Sequence, residues 1–251
     1  MIDVNVGCGN WPFRPTKYND AAKLEEWLSS KGITKACAYP LEAIFWPDPQ
    51  EANELRLPSL SASSFFIPSA VINPTLANYM ENYRICRGEW GVPLIRLFPF
   101  YHVYDFDNPD FLALAEQLAA DGVAMAIYCR VEDKRQRNPM LIEPVDIPLS
   151  AVVRVAERFP ELQVISMGVT AVGQKGVVLP NLYLETSHCD GDDPLEIALR
   201  VFSAERVVFG SHAPMFYPVP NILKIQRSSA PAAAREAVLT RNAQRLLRTA
   251  P

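Results

Sequence analysis

An apolar run leads into a turn and a histidine in the stretch Val207-Val208-Phe209-Gly210-Ser211-His212-Ala213-Pro214. The valines and the phenylalanine favour a buried strand, and the Gly-Ser pair favours a turn directly after it. In parallel α/β proteins, binding and catalytic side chains lie at the carboxyl ends of the strands. The stretch therefore predicts a strand of a parallel sheet that delivers His212 to the wall of a pocket.

The rest of the chain repeats this pattern, because short apolar runs alternate with longer amphipathic runs. Such alternation is typical of strand and helix units around a parallel sheet. The predicted strands cover residues 2–6, 33–39, 65–72, 92–98, 123–128, 162–166, 182–186 and 206–209. About eight parallel strands close a barrel, so the predicted fold class is α/β, a (β/α)8 TIM-type barrel.

The predicted helices form the outer ring of the barrel, because their apolar residues recur at helical spacing. They cover residues 20–30, 76–90, 109–120, 148–159 and 194–202, with a shorter helix at 51–61. Residues 169–178 have too little periodicity for a helix, and 216–220 is interpreted as a stiff, proline-rich loop. A C-terminal helix within 230–248 closes the barrel with its apolar face.

Composition narrows the class of protein. A chain of 251 residues, 49% of them hydrophobic, fits a single barrel domain over 1–251. A net charge of −4 with scattered basic residues offers no stripe for nucleic acid, so no such partner is expected. Without a signal-peptide pattern or a bilayer-length apolar run, we expect a cytoplasmic protein with no membrane partner. The five cysteines lack C-x-x-C pairs, which disfavours a disulfide framework or structural zinc.

All three histidines of the chain follow predicted strands. His102 follows the fourth strand, His188 the seventh and His212 the eighth. A histidine can serve as a general acid or base near neutral pH, or it can simply bond a backbone carbonyl in a loop. Because all three converge on one face of the predicted barrel, we interpret them as candidate catalytic residues.

Other residues at the strand ends are candidates for binding a substrate. Arg96 lies in an apolar strand, so it either pairs with a buried carboxylate such as Glu185 or faces the barrel mouth and binds an anionic ligand. Arg130 raises the same choice. The remaining candidates are Asn5, Tyr128 and Trp11. Trp11 belongs to aromatic loops at the mouth, which suit either a small-molecule pocket or the interface of a homo-oligomer.

Five stretches together resemble the amidohydrolase-related TIM-barrel hydrolases, and the resemblance covers most of the chain. The stretches are Ile2-Asp3-Val4-Asn5-Val6-Gly7, Ile95-Arg96-Leu97-Phe98-Pro99-Phe100-Tyr101-His102-Val103-Tyr104, Val131-Glu132-Asp133-Lys134-Arg135-Gln136-Arg137-Asn138-Pro139, Phe209-Gly210-Ser211-His212-Ala213-Pro214 and Asn242-Ala243-Gln244-Arg245-Leu246. This resemblance implies a (β/α)8 barrel that acts as a metal-dependent hydrolase.

The chain departs from that family at the metal ligands. The family's first strand reads Ile-Asp-x-His-x-His and its last reads Phe-Gly-Ser-Asp-x-Pro, whereas Asn5, Gly7 and His212 stand at these positions here. The fifth-strand histidine corresponds to Tyr128 or Cys129. We therefore expect a lost metal site and no cofactor. Zinc on other ligands stays open as an alternative, drawn from His102, His188, His212 and Asp190 or Cys189.

These observations leave three hypotheses for function. The first is hydrolysis of a small anionic ester or lactone without metal, with His212 or His188 as base and Arg96 or Arg130 stabilising the oxyanion. The second is a barrel without catalysis that binds a ligand or serves in assembly. The third is a metal-dependent hydrolase with atypical ligands.

Overall fold

The structure is a computed structural model that describes residues 1–133, 146–170 and 179–248. Its strands, all paired in parallel, are β1 (Ile2–Cys8), β2 (Lys35–Pro40), β3 (Phe66–Pro68), β4 (Ala70–Val71), β5 (Leu94–Leu97), β6 (Ala124–Tyr128), β7 (Val164–Met167), β8 (Leu182–Glu185) and β9 (Val207–Val208). They follow one another in chain order, β1 to β3 in one sheet and β4 to β9 in another. This order is that of a TIM barrel.

Two local features join the sheets into a ring. Ser69 separates β3 from β4, and its amide donates to the carbonyl of Ala38 at 2.8 Å, so the third predicted strand continues across the break. At the other junction the Val4 amide donates to the Phe209 carbonyl at 3.0 Å. The Gly7 amide donates to the Ala213 carbonyl at 2.7 Å, which connects the first strand with the segment after the last. The predicted fold class is therefore confirmed.

The helices surround the strands. They are α1 (Ala21–Ser29), α2 (Pro49–Ala62), α3 (Tyr79–Trp90), α4 (Pro99–His102), α5 (Pro109–Asp121), α6 (Leu149–Arg158), α7 (Pro194–Leu199), α8 (Pro218–Gln226), α9 (Ala232–Glu236) and α10 (Asn242–Leu247). Asn108 shows why α5 begins where it does, because its side chain accepts from the amides of Asp110 and Phe111 while Pro109 needs no acceptor. None of the described helices is long and apolar enough to cross a membrane.

Three segments differ from the sequence-based prediction or extend beyond it. Residues 218–226, predicted in part as a loop, form α8, because Pro218 occupies the first helical turn where its missing amide costs nothing. The C-terminal helical region is divided by a π-helical turn at Ala237–Arg241 between α9 and α10. The predicted irregular segment 169–178 lies largely outside the described residues, which resume at 179.

Alternation along the strands separates two apolar layers. In β5, Ile95 and Leu97 pack outward against the helix layer, which includes Phe111 of α5. Leu94 and Phe98 belong to the second layer, inside the barrel. Successive strand residues point to opposite faces, so Arg96 between them faces the barrel interior. The strand ends therefore bring inward-facing polar groups together above an apolar base.

Candidate active site

A continuous hydrogen-bonded chain crosses the interior of the barrel and begins at Arg96. The guanidinium donates to the Tyr128 hydroxyl at 2.7 Å and to the Ser69 hydroxyl at 2.8 Å. It also donates to the carbonyls of Val4 at 2.8 Å and Cys37 at 2.9 Å. Arg96 is fully buried, and these neutral oxygens take the place of the carboxylate that the sequence suggested as its partner.

Arg96 determines which atom donates in each of the next hydrogen bonds, from Tyr128 to Asn5 and from Asn5 to Glu185. Because the Tyr128 hydroxyl accepts from Arg96, its own hydrogen is directed to Asn5 Oδ1, 2.7 Å away. The Asn5 amide nitrogen then donates to Glu185 Oε2 at 3.3 Å. The chain therefore runs from a buried cation to a buried carboxylate through Tyr128 and Asn5, two of the predicted binding residues.

Glu185 is held by several donors at the end of β8. Its carboxylate accepts from the Ser187 amide at 2.6 Å, the Ser187 hydroxyl at 2.9 Å and the Gly168 amide at 3.4 Å. Burial raises the pKa of Glu185, and these donors together with Asn5 oppose the rise. A Cβ on Gly210 would lie 2.0 Å from Glu185 Oε1, so the carboxylate depends on glycine at that position.

The Glu185 carboxylate determines the tautomer of His188. The Ser187 hydroxyl has one hydrogen and directs it to Glu185, while Ser187 Oγ also lies 3.0 Å from His188 Nδ1. Nδ1 must then carry the hydrogen of the imidazole, which leaves a lone pair on Nε2. His188 Nε2 is buried and has no hydrogen-bond partner. Lys224 holds the same loop by donating to the carbonyls of Ser187 at 3.2 Å and Cys189 at 2.9 Å.

His212 lies directly beside His188, with 5.0 Å between the ring centroids. Its backbone has φ 58°, a left-handed conformation that is uncommon outside glycine and directs the side chain away from the line of β9. Nε2 donates to the Val131 carbonyl at 2.7 Å, so Nδ1 carries the lone pair. Phe216 packs against both rings, at 4.9 Å from His188 and 5.0 Å from His212.

Both imidazoles are neutral at neutral pH. Burial lowers the pKa of His212 to about 4, and the charges of Arg96 and Arg14 contribute to the decrease. Burial also lowers the pKa of His188 well below its usual value, with further contributions from His212, Arg130 and Lys224. These cations lie near the histidine pair, although Asp133 opposes the decrease at His188 and Asp146 forms an ion pair with Arg130.

The other predicted site residues have different surroundings. His102 contacts Phe98 and lies against the backbone of Ala43 and Ile44, and burial lowers its pKa to about 4. Trp11 is buried with Nε1 unpartnered, and its ring packs 5.0 Å from that of Phe45. Arg130 forms an ion pair with Asp146. The roles proposed for these residues stay predictions.

Sequence reasoning named Glu185 only as a partner for Arg96, included Phe216 only among the aromatic residues of the mouth loops, and did not select Ser187 or Lys224. Glu185 is the carboxylate at the end of the apolar strand β8, three residues before His188. An acidic side chain is costly to bury without several donors, so a carboxylate at this position indicates a hydrogen-bonded site. Ser187 lies two residues away, but the donors Gly168 and Asn5 are 17 and 180 positions distant in the sequence.

Solved structures similar to this one include decarboxylases, amidohydrolases and an uncharacterized TIM-barrel protein. The 5-carboxyvanillate decarboxylase of Sphingomonas paucimobilis has 15% identity, a TM-score of 0.76 and coverage of 99% of this chain and 98% of that one. A dihydroxybenzoic acid decarboxylase of Polaromonas, with bound manganese and an inhibitor, has 14% identity, a TM-score of 0.72 and coverage of 98% and 96%. Amidohydrolase 2 of Bifidobacterium longum has 15% identity, a TM-score of 0.67 and coverage of 100% of this chain and 99% of that one. No protein-family profile and no curated protein matches the chain.

The manganese in the Polaromonas structure contradicts the sequence-based expectation that no cofactor takes part, and that expectation is wrong for barrels of this fold. In the part of this chain that the structure describes, no group of three or more His, Cys, Asp or Glu side chains could hold a metal ion. A Cβ on Gly7 would lie 2.4 Å from Leu41 Cδ2, so Leu41 fills the space that the family's second first-strand histidine would need at this position. Asn5 Oδ1 is bonded to Tyr128. The described side chains at the family's ligand positions thus do not fit a metal ion.

The resemblance found in the sequence is confirmed by these structures at the level of the fold. At 14% to 15% identity, similarity over nearly the whole length of both chains establishes the architecture and leaves the chemistry to the site itself. The chain has the TIM-barrel fold that these decarboxylases and amidohydrolases share.

Proposed function

We propose that the chain is a hydrolase of small esters or lactones in which His188 takes a proton from the attacking water. The observation that carries this proposal is the state of His188 Nε2, a buried atom without a partner on a ring whose other nitrogen is bonded to Ser187. A neutral imidazole with a free lone pair and a fixed orientation can act as a general base. Glu185 stabilises the imidazolium that results, through Ser187.

The charges around the histidines support an anionic substrate. Arg14 and Arg96 lower the pKa of His212, and Arg130 and Lys224 lower that of His188. An anionic group bound here is attracted by the same charges. Once bound, it favours protonated imidazole and raises both pKa values, since opposite charges stabilise each other. The base therefore becomes stronger when the substrate is present.

The proposed reaction balances without a further reactant. His188 Nε2 takes one proton from water as the oxygen forms a bond to the acyl carbon, and the carbonyl oxygen receives the electron pair of its π bond. When the carbonyl forms again, the bond to the alkoxide breaks. The proton on Nε2 then passes to the alkoxide, which gives an acid and an alcohol and restores neutral His188.

Decarboxylation of a small carboxylate is a second candidate. It is favoured by the decarboxylases among the similar structures and by the cations Arg14, Arg96 and Lys224 near the histidine pair. In this reaction carbon dioxide leaves and the remaining carbon takes up a proton from His188, which the bound carboxylate favours in its protonated form and which regains its proton from solvent. A barrel that binds such an anion without turnover is the alternative to both reactions.

The test compares His188→Asn with the unchanged protein on matched esters, lactones and aromatic acids, each with and without manganese. Asparagine keeps a donor near the position of Nδ1 and removes the lone pair of Nε2. We expect kcat/KM to fall about 100-fold or more, as for loss of a general base. Acid release indicates hydrolysis, carbon dioxide release indicates decarboxylation, and thermal stabilisation without turnover indicates ligand binding.

Ser59→Ala is the matched control, because Ser59 is an exposed residue of α2 whose hydroxyl bonds a carbonyl within the helix. Its kcat/KM should equal that of the unchanged protein. If His188→Asn keeps its activity within about threefold, well below the usual effect of removing a general base, the role of His188 is contradicted.

A further inference from the structure

Arg14 belongs to the loop after β1, and its side chain reaches the turn that carries His212. Its Nη2 donates to the Met215 carbonyl at 2.6 Å and lies 3.9 Å from Met215 Sδ. Met215 is three residues beyond His212, and the Phe216 amide donates back to the His212 carbonyl at 3.0 Å, so this turn is tightly folded. The guanidinium is therefore held beside the segment that also packs Phe216 against both imidazoles.

The other cations near the histidine pair already have acceptors inside the protein. Arg96 is fully buried and donates to four oxygen atoms. Lys224 donates to two backbone carbonyls, and Arg130 forms an ion pair with Asp146. An anionic ligand would bind these three cations only in competition with their present acceptors.

Arg14 differs from these cations in its exposure and in its partners. Its side chain is exposed, so an anion from solvent can reach it without the cost of burying an unpaired charge. Among residues 1–133, 146–170 and 179–248, its hydrogen-bond acceptors belong to Met215 alone, and it forms no ion pair with a carboxylate. The remaining N–H groups of the planar guanidinium match the two oxygens of a carboxylate.

The surroundings of Arg14 indicate the shape of the ligand. The charge of Arg14 contributes to the lowered pKa of His212, so the guanidinium and this imidazole are close enough to interact. Phe216 is half-buried beside both histidines and directly follows Met215, which anchors Arg14. A ligand of a few carbon atoms can therefore place an apolar body against Phe216 and a carboxylate on Arg14.

We propose that Arg14 binds a carboxylate that the substrate carries in addition to its ester, so that the preferred substrates are half-esters of dicarboxylic acids or lactones with a free carboxylate. The apolar part of the substrate packs against Phe216. The substrate class rests on the hydrolysis proposed for His188, whereas binding of the carboxylate is measurable without turnover. Arg14 is a residue that the sequence-based prediction did not select.

The binding test compares two probes of nearly the same shape, 4-fluorophenylacetate, an anion, and 4-fluorophenylacetamide, which is neutral. Fluorine NMR gives Kd. The unchanged protein should bind the anion more tightly, and sodium chloride should reduce this preference because salt screens an exposed charge. Arg14→Gln should weaken binding of the anion about tenfold, the effect of a hydrogen bond to a charged group. Binding of the amide should weaken less than about threefold, since it loses only a bond to its carbonyl oxygen.

Lys17→Gln is the matched control, because Lys17 is an exposed cation of the same loop, with its ammonium over the Tyr18 ring. It removes the same charge and should change the Kd of the anion less than about twofold. Arg14→Lys keeps the charge without the fork of donors, so its Kd should lie between those of Arg14→Gln and the unchanged protein. A thermal melt confirms that each variant folds.

A kinetic test addresses the substrate class. Monomethyl glutarate, which has a free carboxylate, should give a higher kcat/KM than dimethyl glutarate, and Arg14→Gln should remove this preference. If both esters react equally and both reactions are lost in His188→Asn, the substrate class is overturned while hydrolysis at His188 stands.

The opposite result is equally distinct. Binding of 4-fluorophenylacetate should survive His188→Asn, because Met215 and not His188 holds Arg14. If this binding depends on Arg14 while no ester is hydrolysed, the carboxylate site stands and the hydrolysis is contradicted. The site itself is overturned if the anion does not bind at its solubility limit, if Arg14→Gln weakens binding less than about threefold, or if Lys17→Gln weakens it equally.

Discussion

The chain of hydrogen bonds from Arg96 to Glu185 and the adjacent histidine pair are both buried, yet they differ in how their polar atoms are satisfied. Each nitrogen of the Arg96 guanidinium has an oxygen acceptor, and Tyr128 and Asn5 transmit that order to Glu185. His188 instead keeps one ring nitrogen without a partner. A fully bonded buried group holds a structure in place, whereas an unpaired one is available to a ligand.

Arg96→Met is expected to have the largest effect on stability. The variant leaves the carbonyls of Val4 and Cys37 and two buried hydroxyl groups without their donor. Each buried group left without its partner costs about 1–3 kcal/mol, so we expect the free energy of unfolding to fall by at least about 3 kcal/mol. Urea denaturation measures the decrease.

Arg84→Met provides the control for that experiment. Arg84 is on the surface of α3, with its side chain 64% exposed and 3.9 Å from Glu81. Surface pairs of this kind contribute little, so we expect a change within about 0.5 kcal/mol. Equal destabilisation by the two variants would refute a structural role for the Arg96 network.

Gly210→Ala is expected to have an intermediate effect, because it acts where the bonded network meets the histidine pair. The added Cβ would lie 2.0 Å from Glu185 Oε1, so the carboxylate must move and the Ser187 bonds that orient His188 must change. Overpacking of this type costs about 1–3 kcal/mol. Urea denaturation gives the stability, and kcat/KM on the best substrate should decrease as well.

Gly88→Ala is the matched glycine control. Gly88 lies within α3, and a Cβ there meets nothing within 4 Å. Because alanine favours helix more than glycine does, this variant should gain about 0.5–1 kcal/mol. If Gly210→Ala also leaves stability unchanged or increases it, Glu185 does not depend on the open space at position 210.

His212→Asn is expected to change how stability depends on pH. The unfolded histidine takes up a proton near pH 6.5, whereas burial lowers the pKa in the folded protein to about 4. Between these values the unfolded state binds more protons, so the contribution of His212 to stability is present above pH 6.5 and is lost as pH falls. The slope is about 1.4 kcal/mol per pH unit for one group.

Asparagine tolerates the left-handed backbone at position 212 and does not titrate, which makes it the appropriate substitution. The stability difference between the unchanged protein and His212→Asn should decrease from about pH 7 to about pH 5. Asp3, whose pKa burial raises to about 7, acts in the opposite direction but is present in both proteins. A difference that is constant with pH would contradict the buried, neutral state of His212.

The sequence was sufficient for the barrel because each strand is an apolar run and each helix has its own period. It also placed His188 and His212 at strand ends. The hydrogen bonds of the Arg96 to Glu185 network could not be derived from the sequence. Asn5 and Glu185 are 180 positions apart, and the direction of each bond between them depends on the contact between Arg96 and Tyr128. The helix at 218–226 was missed in part because its prolines indicate a loop unless their position in the first turn is known.

The contact between Gly7 and Leu41 couples these two positions energetically. A Cβ at position 7 would lie 2.4 Å from Leu41 Cδ2, so a larger residue there requires the leucine side chain to move. A smaller residue at position 41 would open that space, and by itself it would leave a cavity that costs stability. The effects of substitutions at positions 7 and 41 are therefore expected to be non-additive.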